Sequence, residues 1–226
     1  MTDETGRQVK APEASPRRFP EPLRTPRLII RRYTRADAPA LFGAVNRSRT
    51  SLLEFMPWAR TSHLVIEDTE EWIGRERARW LVQDTELGFG IFRPDGVFVG
   101  GIGAHAIDWS VPRFELGYWL DDLSVRRGYM QEAVRAMTRA CFDRCHASRV
   151  EIRCDARNVR SARVAEGCGF YLDGTLRGHA RGTDGSIRDT MVWGMTATDA
   201  LKIRKAWDAA DEADRKSTRL NSSHSS

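Results

Sequence analysis

No run of apolar residues in this chain approaches the roughly 18 that a membrane-spanning helix needs, so no membrane association is expected. Arg17-Arg18 is followed by Phe19-Pro20-Glu21-Pro22, with no apolar stretch behind it, which excludes a twin-arginine export reading. Cysteine is scarce: Cys141, Cys145, Cys154 and Cys168 are the whole set. No CxxC pair and no HExxH motif accompanies them, so zinc lacks its usual ligand spacing and no metal is expected. Cys141 and Cys145 instead read as two residues one helical turn apart on a buried face. Without an export signal, four thiols point to a reducing, cytoplasmic location. There is no internal repeat. Gly100-Gly101-x-Gly103 lies inside a strand pattern rather than at a strand-to-helix turn, so it fails as a dinucleotide-binding fingerprint.

What is present is core-forming material and balanced charge. Hydrophobic residues make up 41% of 226, with seven Trp and nine Phe, enough for one generous domain. The net charge of +5 is concentrated at one end: residues 1–35 hold nine Lys/Arg against four Asp/Glu, while the rest is balanced. The body therefore lacks the basic face of a nucleic-acid-binding domain, and the basic end reads as a solvated arm. Residues 1–24, rich in Pro, Arg, Glu and Ser, read as a disordered basic arm. Residues 25–198 read as the folded domain, and 199–226 as a charged, peripheral helix with a disordered, low-complexity tail.

Local patterns give the element order. Leu28–Tyr33 is a first strand; Asp37 can cap a helix to about Val45; Glu67–Gln83 has helical spacing of Trp72, Ile73, Trp80 and Leu81. Gly88–Phe92 and Val97–Ile107 flank Pro94-Asp95-Gly96, a hairpin-turn signal. Phe114–Leu120 is a strand, Gly128 to about Arg144 a helix, Val150–Cys154 a strand and Asn158 to about Cys168 a short helix. Phe170–Leu176 and Thr190–Met195 are strands joined by a polar loop. The order predicts a mixed α/β domain of the α+β type, with a mostly antiparallel central sheet and helices on both faces.

The most informative stretch is ELGYWLDDLSVRRGYMQEA, Glu115 to Ala133. A strand empties through a basic, glycine-containing turn into a helix N-terminus, where free N–H groups and the helix dipole converge on one spot. That is an anion site suited to the diphosphate of a nucleotide-type cofactor. Three patterns, Glu115–Leu120, Arg127-Gly128-Tyr129-Met130-Gln131-Glu132-Ala133, and Asn158-x-x-Ser161-x-x-Val164-Ala165-Glu166-x-x-Gly169-Phe170, occur in that order. Together they resemble the GNAT superfamily of acyl-CoA-dependent N-acyltransferases, in particular its RimJ/RimL-like branch of ribosomal-protein N-terminal acetyltransferases. The resemblance spans about residues 22–197.

The resemblance implies a GNAT-like sheet with a splayed strand pair, Phe114–Leu120 against the strand around Arg149–Asp155. It implies acetyl-CoA as co-substrate, its pantetheine arm pairing with backbone of Trp119 and Leu120. The N–H groups of Arg127, Gly128, Tyr129 and Met130 would face the diphosphate, with the side chains of Arg126 and Arg127 adding charge-assisted bonds. The superfamily turn reads Gln/Arg-x-x-Gly-x-Gly/Ala; here its ends are Val125 and Met130. Asn158 either caps its helix, contacts the pantetheine, or both. Many relatives place a Tyr where this chain has Ala165, and Ser161 is the alternative donor to the departing thiolate. Glu115 is the candidate base or else a partner for an arginine, with His105 and His179 in reserve. The implied reaction is acetyl transfer to a primary amine, a protein N-terminus or a small molecule, by direct attack in a ternary complex. The rival is a non-catalytic acyl-CoA-binding module. A monomer or homodimer, and no nucleic-acid or membrane partner, are expected.

Overall fold

The computed structural model describes residues 19–82 and 85–223. Eight strands form one sheet: β1 (Leu23–Arg24), β2 (Ile29–Arg31), β3 (Leu87–Phe92), β4 (Phe98–Asp108), β5 (Arg113–Leu120), β6 (Arg149–Asp155), β7 (Tyr171–Arg181) and β8 (Ile187–Thr196). Their order across the sheet is β1-β2-β3-β4-β5-β6-β8-β7. Every neighbouring pair is antiparallel except β5 and β6. That exception follows from connectivity, because a helix must carry the chain back before β6 can run alongside β5. The helices are α1 (Ala38–Arg47), α2 (Arg49–Leu52), α3 (Ile66–Val82), α4 (Tyr129–Arg144), α5 (Val159–Gly167) and α6 (Ala197–Ser223). The mixed, mostly antiparallel fold expected from the sequence is the one observed.

Period-two alternation decides the faces. On β5, Phe114 and Leu116 are buried with α4 residues Ala133, Val134, Met137 and Cys141, and with Val150 and Ile152 of β6. Each fully buried aliphatic or aromatic side chain there contributes about 1.5–3 kcal/mol. On the opposite face Tyr33, Phe98, Ile73, Leu41 and Val45 form a second cluster beneath α1 and α3. Cys141 on α4 and Cys145, the residue that caps its C-terminus, are both buried, as their one-turn spacing suggests.

Three expectations change. Residues 1–18 lie outside the described part of the chain, but the supposed arm does not extend to residue 24. Phe19 is buried edge-on against Phe89 and Phe114, and Leu23–Arg24 pair with β2. Much of the basic end is neutralised by the body, with Arg27 bridging Glu132 and Asp214, Arg31 bridging Asp37 and Arg32 bridging Glu21. The C-terminal helix is not peripheral: Trp207 is buried and donates to the Cys168 carbonyl at 3.0 Å, and Arg135 of α4 binds Asp211 and Asp214. It stays helical through Ser223, across most of the low-complexity tail. Finally, the polar loop after Leu176 is mostly strand. Only Gly182–Ser186 turns, closed by Gly182 N donating to Ser186 O at 2.8 Å and by Gly185 at φ +81°.

Candidate active site

The site starts from a disagreement between two strands. β5 and β6 pair only at Arg113↔Arg149, Phe114↔Val150 and Glu115↔Glu151, although both continue well beyond. Past Glu115, β5 stays with β4 as far as Leu120↔Gly100, and β6 stays with β8 as far as Asp155↔Thr190. The strands therefore open into a V. The edge of β5 from Gly117 to Leu120 faces that gap with no strand beside it among the described residues. An extended, amide-containing arm can add there as a further strand.

At the mouth of the V the chain passes through a short 3-10 turn, Asp122–Ser124, and then reverses sharply into α4. Arg126 has φ +61° and Gly128, the N-cap, has φ +76°. A left-handed residue ahead of a helix turns successive N–H groups toward one point, and the first-turn N–H groups of α4 have no intrahelical acceptor. Arg126 and Arg127 are exposed beside them. The turn is braced from behind. The Glu132 carboxylate, 1% exposed, accepts from Thr25 Oγ1, Arg27 N and Arg27 Nε, and Arg27 Nη1 donates to the Arg127 carbonyl at 3.0 Å. The two departures from the superfamily turn are accommodated. Met130 buries its side chain in the core, leaving its N–H available, and Val125 sits at the surface.

Beyond the last β5–β6 pair, α5 meets β5. Asn158 caps α5 by accepting the Ser161 N–H at 3.0 Å, as its position predicts. Ser161 Oγ lies 3.1 Å from the Tyr118 hydroxyl, which also donates to the Ser161 carbonyl at 3.2 Å. Burial raises the Tyr118 phenol well above its ordinary value, so it remains protonated. Tyr118 was not singled out from the sequence. Its only signal was its place in Glu115–Leu120, on the strand that splays.

On the α3 side of the sheet, glycines make a floor. A Cβ at Gly88 would meet Glu76 Oε2 at 2.6 Å, one at Gly101 would meet Trp119 Nε1 at 2.7 Å and Tyr33 Oη at 3.0 Å. At Gly103 and Gly117 it would meet His105 Nε2 at 2.8 and 2.9 Å. Above this floor lies a cleft of about 420 Å³, walled by Met56, Trp58, His63, Trp72 and Trp119 on one side and by Arg153, Asp155 and Arg188 on the other. The Glu54–Arg60 segment and the β7–β8 turn meet beside it: Arg60 Nη2 donates to Thr183 O at 2.8 Å and Thr183 Oγ1 to Glu54 O at 3.1 Å.

Of the residues picked from the sequence, Trp119, Asn158, Ser161 and His105 line this cleft, together with Tyr118 and Cys154. Arg126, Arg127, Gly128, Tyr129 and Met130 form the turn at the other end of β5, next to Leu120. Glu115 does not line the cleft. It pairs with Arg153 at 3.5 Å, and burial raises its carboxyl against that pairing. His179 is on β7 rather than in a loop, exposed, and bonded to Thr190 Oγ1 at 3.1 Å, away from the cleft. No group of three or more potential metal ligands occurs among the described residues.

A V-shaped opening in a mostly antiparallel sheet, with a phosphate-type turn at its mouth and a hydroxyl pair between its arms, defines the acyl-CoA-dependent acyltransferase class. The chain belongs to that class by family as well: residues 27–171 match the acetyltransferase (GNAT) domain family. It is similar to a probable N-acetyltransferase, YjcK, of Bacillus subtilis, 28% identical over 152 residues, which cover 66% of this chain and 83% of YjcK. It also resembles the ribosomal-protein-serine acetyltransferase of Escherichia coli, 32% identical over 89 residues, 39% of this chain and 49% of that protein. The solved structure of Mycobacterium smegmatis RimJ in complex with CoA-disulfide superimposes with a TM-score of 0.72 at 22% identity, covering 82% of this chain and 93% of RimJ. The protein is an acetyl-CoA-dependent N-acetyltransferase that acetylates amines. No helix among the described residues is long and apolar enough to cross a membrane.

Proposed function

We propose that the acceptor is the terminal amine of a peptide or protein, acetylated in the cytoplasm by direct attack on bound acetyl-CoA. The observation that carries the cofactor side is the end of β5–β6 pairing at Glu115↔Glu151, which opens the V directly onto the turn before α4. In this reading the backbone of Trp119 and Leu120 pairs with the pantetheine. The N–H groups of Arg127, Gly128, Tyr129 and Met130 hold the diphosphate, with Arg126 and Arg127 supplying charge. Asn158 orders the start of α5 and so places Ser161, whose hydroxyl, backed by Tyr118, donates to the thiolate as the C–S bond breaks. A backbone N–H near Trp119 holds the thioester oxygen.

The peptide acceptor is supported by the likeness to a ribosomal-protein-serine acetyltransferase and to RimJ. The cleft agrees with it. Its volume of about 420 Å³ between the two walls is enough for a short chain end. The test is thiol release from acetyl-CoA with four acceptors: short peptides with free N-termini, the same peptides N-formylated, lysine side-chain amines, and polyamines. Turnover confined to free N-termini is expected. Equal or greater turnover with the small amines refutes the peptide reading, and binding of acetyl-CoA without turnover on any amine returns the non-catalytic rival.

A further inference from the structure

An amine that arrives as an ammonium must lose a proton before it attacks, and Glu115 is poorly placed to take it. Directly across from Glu115 in the β4–β5 register stands His105, whose ring does line the cleft. Two glycines make that possible. With no Cβ at Gly103 or Gly117, the Nε2 edge of the imidazole packs against both glycines, Gly117 lying one residue before Tyr118 and two before Trp119. Any larger residue at either position would lift it away. The ring forms no hydrogen bond to another described residue, unlike His63, which is tied to Thr69 Oγ1 at 2.9 Å, and His179, tied to Thr190. It is therefore the cleft histidine with neither ring nitrogen hydrogen-bonded among the described residues.

Resting on the acetyltransferase reading above, we propose that His105 is the base that deprotonates the acceptor ammonium. The ammonium gives one proton to an imidazole nitrogen. The freed amine attacks the thioester carbonyl carbon, a C–N bond forms and the C–S bond breaks, and sulfur leaves with the electron pair. The nitrogen's second proton passes to the Ser161 oxygen and replaces the one that Ser161 delivers to the thiolate, and the imidazolium returns its proton to water through the open cleft. Net products are the N-acetyl amine, CoA thiol and one proton.

The groups around the ring suit a neutral base. Burial lowers the imidazole from its ordinary value, Glu86 ahead of β3 opposes that, and Arg79 on α3 adds to it. Glu76 of α3, bonded to the Gly88 N–H, and Arg153 of β6, paired with Glu115, complete the charged surroundings. The ring is thus unprotonated near neutral pH, and rates should climb with pH along a limb that lies below 6.5.

The test is the pH profile of kcat/KM for the acceptor in the full chain and in His105→Asn and His105→Gln, with acetyl-CoA affinity measured in parallel. Expected are an acidic limb below pH 6.5 in the unmodified protein, and a loss of about a hundredfold or more in both variants. The limb should be gone in the variants, acetyl-CoA affinity unchanged, and activity partly restored by added imidazole. A hundredfold loss that imidazole does not relieve, or variants within threefold that keep the limb, overturns the proposal. So does the absence of any acidic limb below pH 6.5 in the unmodified protein, a readout that needs no variant to fold. Failure to bind acetyl-CoA at all would instead sink the acetyltransferase reading.

Discussion

Gly128→Ala tests the diphosphate turn most directly, because Gly96 supplies a matched control. Gly128 has φ +76° and Gly96 has φ +87°. Each is at a turn, and alanine in the left-handed region costs about 1–2 kcal/mol, partly offset by a stiffer unfolded chain. A net loss of about 1 kcal/mol corresponds to a fall in Tm of roughly 2–4 °C in a domain of this size. Nothing lies within 4 Å of a Cβ at Gly96, whereas one at Gly128 would meet Arg27 Nη2 at 3.3 Å, the same guanidinium that braces the Arg127 carbonyl. The stability costs of the two variants should therefore be similar, with Gly128→Ala slightly worse. Their ligand affinities should part. Turning even one N–H away from a phosphate oxygen forfeits about 1.5–3 kcal/mol, which weakens acetyl-CoA binding about ten- to a hundredfold. Calorimetric titration of both variants decides it. If Gly128→Ala binds acetyl-CoA as tightly as Gly96→Ala does, the turn before α4 does not hold the diphosphate.

Tyr118→Phe removes the hydroxyl 3.1 Å from Ser161 Oγ and should lower kcat about five- to tenfold at unchanged acetyl-CoA affinity; a kcat within twofold argues that Ser161 acts without it. Asp155 is held below the ordinary carboxylate range, first by the Arg157 guanidinium, so its stabilising contribution is present above about pH 4 and fades as pH falls through the lower folded value. Urea titrations should show a gap between the unmodified protein and Asp155→Asn at pH 6 that closes toward pH 2; a gap independent of pH would contradict the assignment. Arg60→Ala cuts the bond to Thr183 and should change the acceptor KM two- to tenfold while leaving acetyl-CoA affinity alone. A change in acetyl-CoA affinity instead would place this contact on the cofactor side.

Short-range patterning carried most of the elements. Pro94-Asp95-Gly96 marked the β3–β4 hairpin, helical spacing of Trp72, Ile73 and Trp80 marked α3, and Asn158 marked the start of α5, because each signal acts within a few residues of itself. What escaped was set by partners far away in sequence. The proline-rich context of Phe19 hides its packing against Phe89 and Phe114, and the charged face of α6 hides Trp207. β7 ran past its expected end because pairing with β8 stabilises polar residues such as Arg181 that have no strand periodicity of their own. At the site, the turn before α4 was legible because its chemistry is local. The Tyr118–Ser161 contact joins residues 43 apart, and the glycine floor is assembled from three strands, so neither had a local signature.

Ala165, at the position where the family resemblance implies a tyrosine, is the strongest sequence argument for a chain that binds acyl-CoA without using it. The structure weakens that argument. Ala165 is wholly buried in the core, and its carbonyl accepts the Phe170 N–H that ends α5. The phenol instead arrives from β5, through Tyr118, and reaches the hydroxyl of Ser161 on the same helix. A proton donor is a requirement on position and pKa, not on which element delivers it. The cysteines close off the remaining route. Burial raises all four thiols, Cys145 and Cys168 to about 12, and Cys154, the one lining the cleft, is raised by the same cause. A thiol held protonated is a poor nucleophile toward a thioester, so an acyl-cysteine intermediate has no donor here. Direct attack by the acceptor amine is what the remaining groups can support.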